Sequence, residues 1–270
     1  MGYTAIVGDR ATTTALAVAS AWPGDGEVVL VEADPSGGSL AAWLELAPTP
    51  SLSTAVATVP TAQRARSTAA ERAPNLSSLL QDGGDGLDVL AAPMSGREAR
   101  RAVEEAGRSL LPALTRLDGP AVLVDGGQLF PGAPLPSTVL LAERIVVCHR
   151  QEPASAAAAS VRLQRLVETT EALCEPGRPI VVAVIGNEPY PAEEIEAFVL
   201  DRLDAAGSTD RPAVRSLAED PLSAKVLAGR SGMSARRLAR RPLLRSAEGL
   251  AATIRSIGDR TAAHAGAQGA

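Results

Sequence analysis

The sequence predicts an α/β fold, a doubly wound and mainly parallel sheet with helices on both faces. Three observations carry that expectation. Short strand-like apolar runs alternate along the chain with stretches of helical periodicity, which is the pattern of βα units. Three of the runs lead into loops that begin at Gly8, reach Asp34 and begin at Asp125, and parallel sheets gather ligands beyond such strand ends. The length, 270 residues, suits one α/β domain with a full core.

The first strand is Tyr3 to Gly8 (YTAIVG), followed by Asp9 to Thr14 and an apolar helical stretch through Trp22. Pro23-Gly24-Asp25-Gly26 turns the chain into Val28 to Val31 (VVLV), which leads to Glu32, Ala33, Asp34, Pro35, Ser36, Gly37 and Gly38. A helix is expected from Ser39 to Leu46, then a less regular stretch with short helices from Pro48 to Gly86. Leu87 to Ala91 is the third strand. Glu98 to Leu117 places Val103, Ala106, Leu110, Leu114 and Leu117 on one helical face. Ala121 to Val124 (AVLV) is the fourth strand and ends at Asp125-Gly126-Gly127. Arg144 to Cys148 and Ile180 to Ile185 are the fifth and sixth, with helices expected from Ala154 to Leu173 and from Pro191 to Leu203. Leu243, Ala247, Leu250, Ile254 and Ile257 form the apolar face of a last helix. Residues 1–260 read as a single domain, and 261–270, small and polar, as a disordered tail.

Apolar residues make up 46% of the chain but aromatics only 2%, so Ala, Val and Leu must fill the core. Cys148 and Cys174 are the only cysteines and lack metal-ligand spacing, and Cys148 reads as a buried thiol in a reducing compartment. With His149 and His264 the only histidines, a histidine metal site or a catalytic triad has little to draw on. Neither a signal peptide nor an apolar run of about 18 residues is apparent, so the expectation is a soluble, cytoplasmic protein.

Strand, loop and threonine-rich helix start at Gly8, Asp9, Arg10, Ala11, Thr12, Thr13 and Thr14 have the layout of a phosphate-binding loop, whose backbone N–H groups cradle phosphates while a lysine reaches the β and γ oxygens. Lys225 is the single lysine of the chain. Thr13 could give its hydroxyl to magnesium, with Asp34 and Asp125 reaching the metal or its waters and acting as the catalytic carboxylates if the site is active. Both aspartates serve equally well as acceptors for nearby helix starts and turns.

The order of these motifs resembles the ParA/MinD group of deviant P-loop ATPases, and in particular its degenerate members similar to TadZ/CpaE-type localisation proteins. The resemblance rests on GDRATTTAL, VVLVEADPSGG, AVLVDGG and AERIVVCHRQEPASAAAASVRL, with VRSLAEDPLSAKVLAGRSG similar in style to the group's C-terminal third. It covers most of residues 2–258. Laid on the group's loop, Val7 and Thr12 stand where lysines belong, and Asp9 and Ala11 where glycines belong. Thr12 can donate a hydrogen bond but cannot neutralise the charge of phosphoryl transfer, and Asp9 adds negative charge where phosphates approach. Arg10 is the nearby cation able to grip a phosphate, although an arginine at a loop tip ordinarily points to solvent. The resemblance thus implies a pseudo-ATPase with a vestigial nucleotide pocket, no required cofactor, and ATP with magnesium only if the pocket still works. It implies a positioning or assembly adaptor, for instance in a pilus or secretion system, with protein partners and room for a homodimer. An atypical nucleotide-switched ATPase that positions DNA is the alternative. A metabolic enzyme on the same fold would need a substrate constellation that the sequence does not display.

From Pro221 to Ala247 the chain carries seven cations (Lys225, Arg230, Arg236, Arg237, Arg240, Arg241 and Arg245) and no acid. Against a net charge of −5 the remainder therefore carries −12. Such asymmetry fits an anionic partner, with Arg236, Arg237, Arg240 and Arg241 as the expected patch, and it fits a merely solvated face as well. A protein partner is favoured, with DNA open. The stretch has no aromatic for stacking on bases, and no basic amphipathic helix for direct membrane binding.

Overall fold

Continuous apolar runs are what a strand buried on both faces requires, and they become the centre of the sheet. In the computed structural model, which describes residues 2–24, 27–64, 76–116, 120–130, 132–152, 155–208, 211–229 and 232–268, eight strands form one sheet in the order β3-β4-β2-β5-β1-β6-β7-β8. Of the residues named above, Asp25, Gly26, Leu117, Ala154 and Arg230 lie outside the described ones. The strands β1 (Thr4–Gly8), β2 (Val28–Glu32), β4 (Leu87–Leu90), β5 (Ala121–Gly127), β6 (Arg144–Arg150), β7 (Ile180–Ile185) and β8 (Ala213–Leu217) pair in parallel. Only the short β3 (Gln81–Asp82) is antiparallel, against β4.

Helices cover both faces, as expected. On one face Val29, Val31, Val124, Val147 and Val182 pack against α3 (Leu52–Arg64), α4 (Gly96–Glu105), α5 (Leu111–Leu114), α7 (Ala156–Leu173) and α8 (Ala192–Ala205). On the other, Ile6, Leu30, Leu123, Val146 and Ile185 meet α1 (Ala11–Ser20), α9 (Pro221–Leu227) and α11 (Pro242–Gln268). Short α2 (Leu40–Trp43), α6 (Ser137–Leu140) and α10 (Ala235–Leu238) complete the described helices. Each large side chain fully buried in these layers contributes about 1.5–3 kcal/mol.

Three expectations change in detail. Strands β3 and β8 join the six read from the sequence, β8 as an edge strand whose Arg215 and Ser216 are exposed. The helix expected over 39–46 stops at Trp43, and Glu45 takes a left-handed φ of 54°. The long helix beginning near Glu98 passes through a π turn at Ala106–Leu110 before α5; Pro112, which has no N–H for the preceding turn, stands just beyond it. Helix α11 runs as far as Gln268, in keeping with the alanines of that stretch.

The chain winds from β1 to β2, β4 and β5 on one side, then to β6, β7 and β8 on the other. The direction reverses at β1, so the loops after β1 and β5 diverge and leave a crevice at their carboxyl ends. Among the described residues no helix is long and apolar enough to cross a membrane.

Candidate functional site

The loop between β1 and α1 is held tightly against β6. Gly8 has φ 101°, and a Cβ there would lie 2.5 Å from the Cys148 carbonyl oxygen. The next amide, Asp9 N–H, donates to that same carbonyl at 3.0 Å. Gly8→Ala therefore combines an unfavourable φ with a backbone clash, and is expected to cost about 1–3 kcal/mol, read as a lower denaturant midpoint at unchanged slope. Arg10, exposed and left-handed at φ 59°, precedes the first turn of α1, and its carbonyl accepts the Thr14 N–H at 2.9 Å. Ala11 and Thr14 are buried, while Thr12 and Thr13 are half-buried.

Asp9 does not face incoming phosphate as an unpaired charge. Its Oδ2 accepts the Arg150 amide at 3.0 Å and the Arg162 guanidinium of α7 at 2.9 Å. Arg162 also donates to the Arg150 carbonyl at 2.8 Å and approaches Glu152 at 3.5 Å. Arg150 in turn gives Nε and Nη2 to Glu219 Oε1 at 2.8 and 2.6 Å, and Nη1 to Glu152 at 2.7 Å. The expected repulsive charge is thus neutralised by a chain of ion pairs, Asp9–Arg162–Glu152–Arg150–Glu219. The contacts of 2.6 to 2.9 Å in this chain are strong charge-assisted hydrogen bonds, and the Arg162–Glu152 contact at 3.5 Å is a weaker link.

Three carboxylates converge at the ends of β2 and β5. Glu32, paired in register with Asp125 and only 1% exposed, accepts the backbone N–H of Ser39 at 2.6 Å, Leu40 at 3.0 Å and Ala92 at 3.0 Å. It caps α2 from a distance and ties that helix to the loop after β4. Burial raises its pKa, and these amides pull the other way. Asp34 accepts the amide and hydroxyl of Ser36 at 2.7 and 2.5 Å, an Asx turn of the kind the alternative reading of this residue anticipates. Strands β1 and β5 shift register after Ile6, and Gly127 takes φ 68°, where a Cβ would lie 2.3 Å from the Asp34 carboxyl carbon.

Asp125 is fully buried. Its Oδ1 accepts the Gly127 N–H at 3.0 Å, while Oδ2 has no hydrogen-bond partner. Burial pushes its pKa up to about 7, and Glu32 and Asp34 add to the rise, against opposing pulls from the Thr12 side chain and the Gly127 amide. Among the described residues no group of three or more His, Cys, Asp and Glu side chains is arranged to hold a metal ion. Position 12 is uncharged, and burial disfavours the ionised form of the strand-end aspartate, the form that would reach magnesium or its waters. Neighbouring His149 is buried and its pKa falls to about 4, which leaves it neutral at pH 7.

A cavity of about 290 Å³ opens beside the loop. It is lined by Arg10, Thr13, Thr14, Trp43, Arg150 and Lys225, with the ends of β7 and β8. The single lysine, absent from the loop itself, thus reaches the same space from α9. Sequence order gives no sign of this, because Lys225 is more than two hundred residues from Thr12.

The expected cationic patch divides. Arg236, Arg237 and Arg240 are exposed and make no ion pair among the described residues. Arg241 is instead half-buried and engaged by Asp220, with Nε to Oδ2 at 3.0 Å and Nη2 to Oδ1 at 2.6 Å. Asp220 also caps α9 through Ser223. Its burial favours the neutral carboxyl, but the Arg241 and Ser223 hydrogen bonds prevail and hold its pKa down to about 2. Arg241 is a structural clamp, and it leaves the patch.

No family profile and no curated protein sequence matches the chain. Solved structures match its fold. A ParA family ATPase from Chlorobium tepidum TLS aligns with a TM-score of 0.61 at 13% identity, covering 93% of this chain and 96% of that one. The septum site-determining protein MinD from Pyrococcus horikoshii OT3, complexed with Mg-ADP, gives 0.62 at 13% identity over 97% and 99%. A chain of the MinC:MinD cell division protein complex of Aquifex aeolicus gives 0.59 at 14% identity over 94% and 96%. The sheet and its helices are of the ParA/MinD type.

Proposed function

On this ParA/MinD-like fold, we propose that the chain is a positioning or assembly adaptor that does not turn over ATP. The observation that supports this most directly is the charge at the loop. Thr12 offers no cation, Arg162 is engaged by Asp9 and so is withheld from a phosphate, and Asp125 sits in an environment that disfavours its ionised form. Phosphoryl transfer depends on charge stabilisation more than on any covalent step by the protein, so losing it removes catalysis while leaving the fold. The structural neighbours include a septum site-determining protein and a chain of the MinC:MinD cell division protein complex, which supports a role through protein partners. A cytoplasmic adaptor of a pilus or secretion machine, able to form a homodimer, is the reading that suits the TadZ-like resemblance.

Incubation with ATP and magnesium is expected to release phosphate at no more than the background rate. A turnover on the order of 1 per second that disappears in Asp34→Ala or Asp125→Ala would overturn the proposal. A second reading is favoured by the cavity itself: Arg10 and Lys225 would supply the missing charge, making the chain a nucleotide-responsive switch. Calorimetry separates the two. Magnesium-ATP binding that weakens about tenfold or more in the Arg10→Ala/Lys225→Ala double variant would favour the switch.

A further inference from the structure

We propose that Arg236, Arg237 and Arg240 form a docking surface for an acidic segment of a partner protein. The surface is built on an element with little packing purpose of its own. Helix α10 contains no fully buried residue, and only Leu238 leans on the core from it. Its arginines therefore project from a short platform.

The platform is nonetheless anchored. Arg241, directly after Arg240, clamps Asp220 with two hydrogen bonds, and Asp220 is the N-cap of α9. The turn that follows that cap carries Leu222, a large apolar side chain 42% exposed. Exposed cations, joined through the Arg241–Asp220 clamp to a turn that carries an exposed leucine, complement a segment that mixes carboxylates with an apolar residue. Guanidinium forks match carboxylates in a bidentate geometry.

Charge decides the partner class. The chain carries −5 in all, and −12 outside the 221–247 stretch, so a long polyanion meets repulsion over most of the surface. A short acidic segment touches the patch alone. Among the elements on the opposite face of the sheet, α8 is itself strongly acidic, with Glu193, Glu194, Asp201 and Asp204 exposed. Few phosphates could be neutralised by three arginines, and no aromatic in the stretch stacks on a base.

The test is fluorescence anisotropy on the full chain without nucleotide, so that its outcome is independent of ATP binding or turnover. The probes are a labelled synthetic peptide of interspersed glutamates and leucines, and a labelled random-sequence DNA duplex. The peptide is expected to bind, and the Arg236→Glu/Arg237→Glu/Arg240→Glu variant to lose at least about tenfold in affinity with an unchanged melting temperature. If charge reversal impairs folding, the corresponding triple glutamine variant replaces it, with the same loss expected. Failure of the unaltered chain to bind the peptide would overturn the proposal, as would equal binding by a folded triple variant. Tighter binding of the duplex than of the peptide near physiological salt, lost in the variant, would overturn it in favour of nucleic acid.

Discussion

Glu32→Ala is expected to destabilise the fold by about 3–5 kcal/mol, because it strips three amides, two in buried contacts and one in a part-buried contact, of their acceptor at once. A single unsatisfied buried donor costs about 1–3 kcal/mol, and breaking a buried charged contact falls in a similar or larger range. Ser39, Leu40 and Ala92 all donate to this carboxylate, and water has no access to replace it where the residue is 1% exposed. Part of the loss is offset, since alanine also removes the cost of burying the charge. Glu32→Gln should be milder: one oxygen still serves Ser39 and Leu40, while the amide NH₂ opposes the Ala92 N–H. Urea denaturation of the two variants beside the unaltered chain measures both effects. A loss below about 1 kcal/mol for the alanine variant would show that the strand end relaxes and that the carboxylate is no fixed tie.

Glu32 also illustrates what a sequence conveys and what it withholds. The central strands are legible because burial on both faces forces runs such as VVLV and IVVAVI. The edge strand β8 is not, since AVRSL leaves Arg215 and Ser216 exposed and carries no sustained apolar run. The loop from Gly8 to Thr14 is legible as strand, turn and helix start. Its electrostatics are not, because Arg162 lies 153 residues from Asp9 and Lys225 comes from α9. Arg241 looked like its arginine neighbours until Asp220 was placed beside it. Asp220-Pro221 does signal a helix start, an N-cap acid followed by proline at the first helical position, and an acid so placed could have hinted at a claim on a nearby arginine. Glu32 reads as half of an acidic pair, and only the arrival of Ala92, 60 residues on, makes it a structural acceptor.

Asp125→Asn is expected to stabilise the protein above neutral pH and to remove a pH dependence that the unaltered chain carries. The folded state raises the Asp125 pKa from an ordinary 3.8 to about 7, so between those values the native chain holds a proton that the unfolded chain has released. Stability from this group is therefore fully present below about pH 4 and is lost as pH rises through 7. The displacement corresponds to about 4 kcal/mol at most, one tenfold change in proton affinity being about 1.4 kcal/mol. Asparagine keeps an oxygen for the Gly127 N–H and cannot ionise, so the cost at high pH disappears. Other carboxylates complicate the absolute curve. Asp220, held at about 2 by Arg241, contributes in the opposite sense and loses its share as pH falls. The informative quantity is the difference between the variant and the unaltered chain, measured by denaturation from pH 4 to pH 9. That difference should grow in favour of asparagine as pH rises and level off above about 7. A constant difference across the range would mean that Asp125 stays ionised throughout. The loop would then retain a charged strand-end carboxylate, and the case for a catalytically silent site would lose one of its supports.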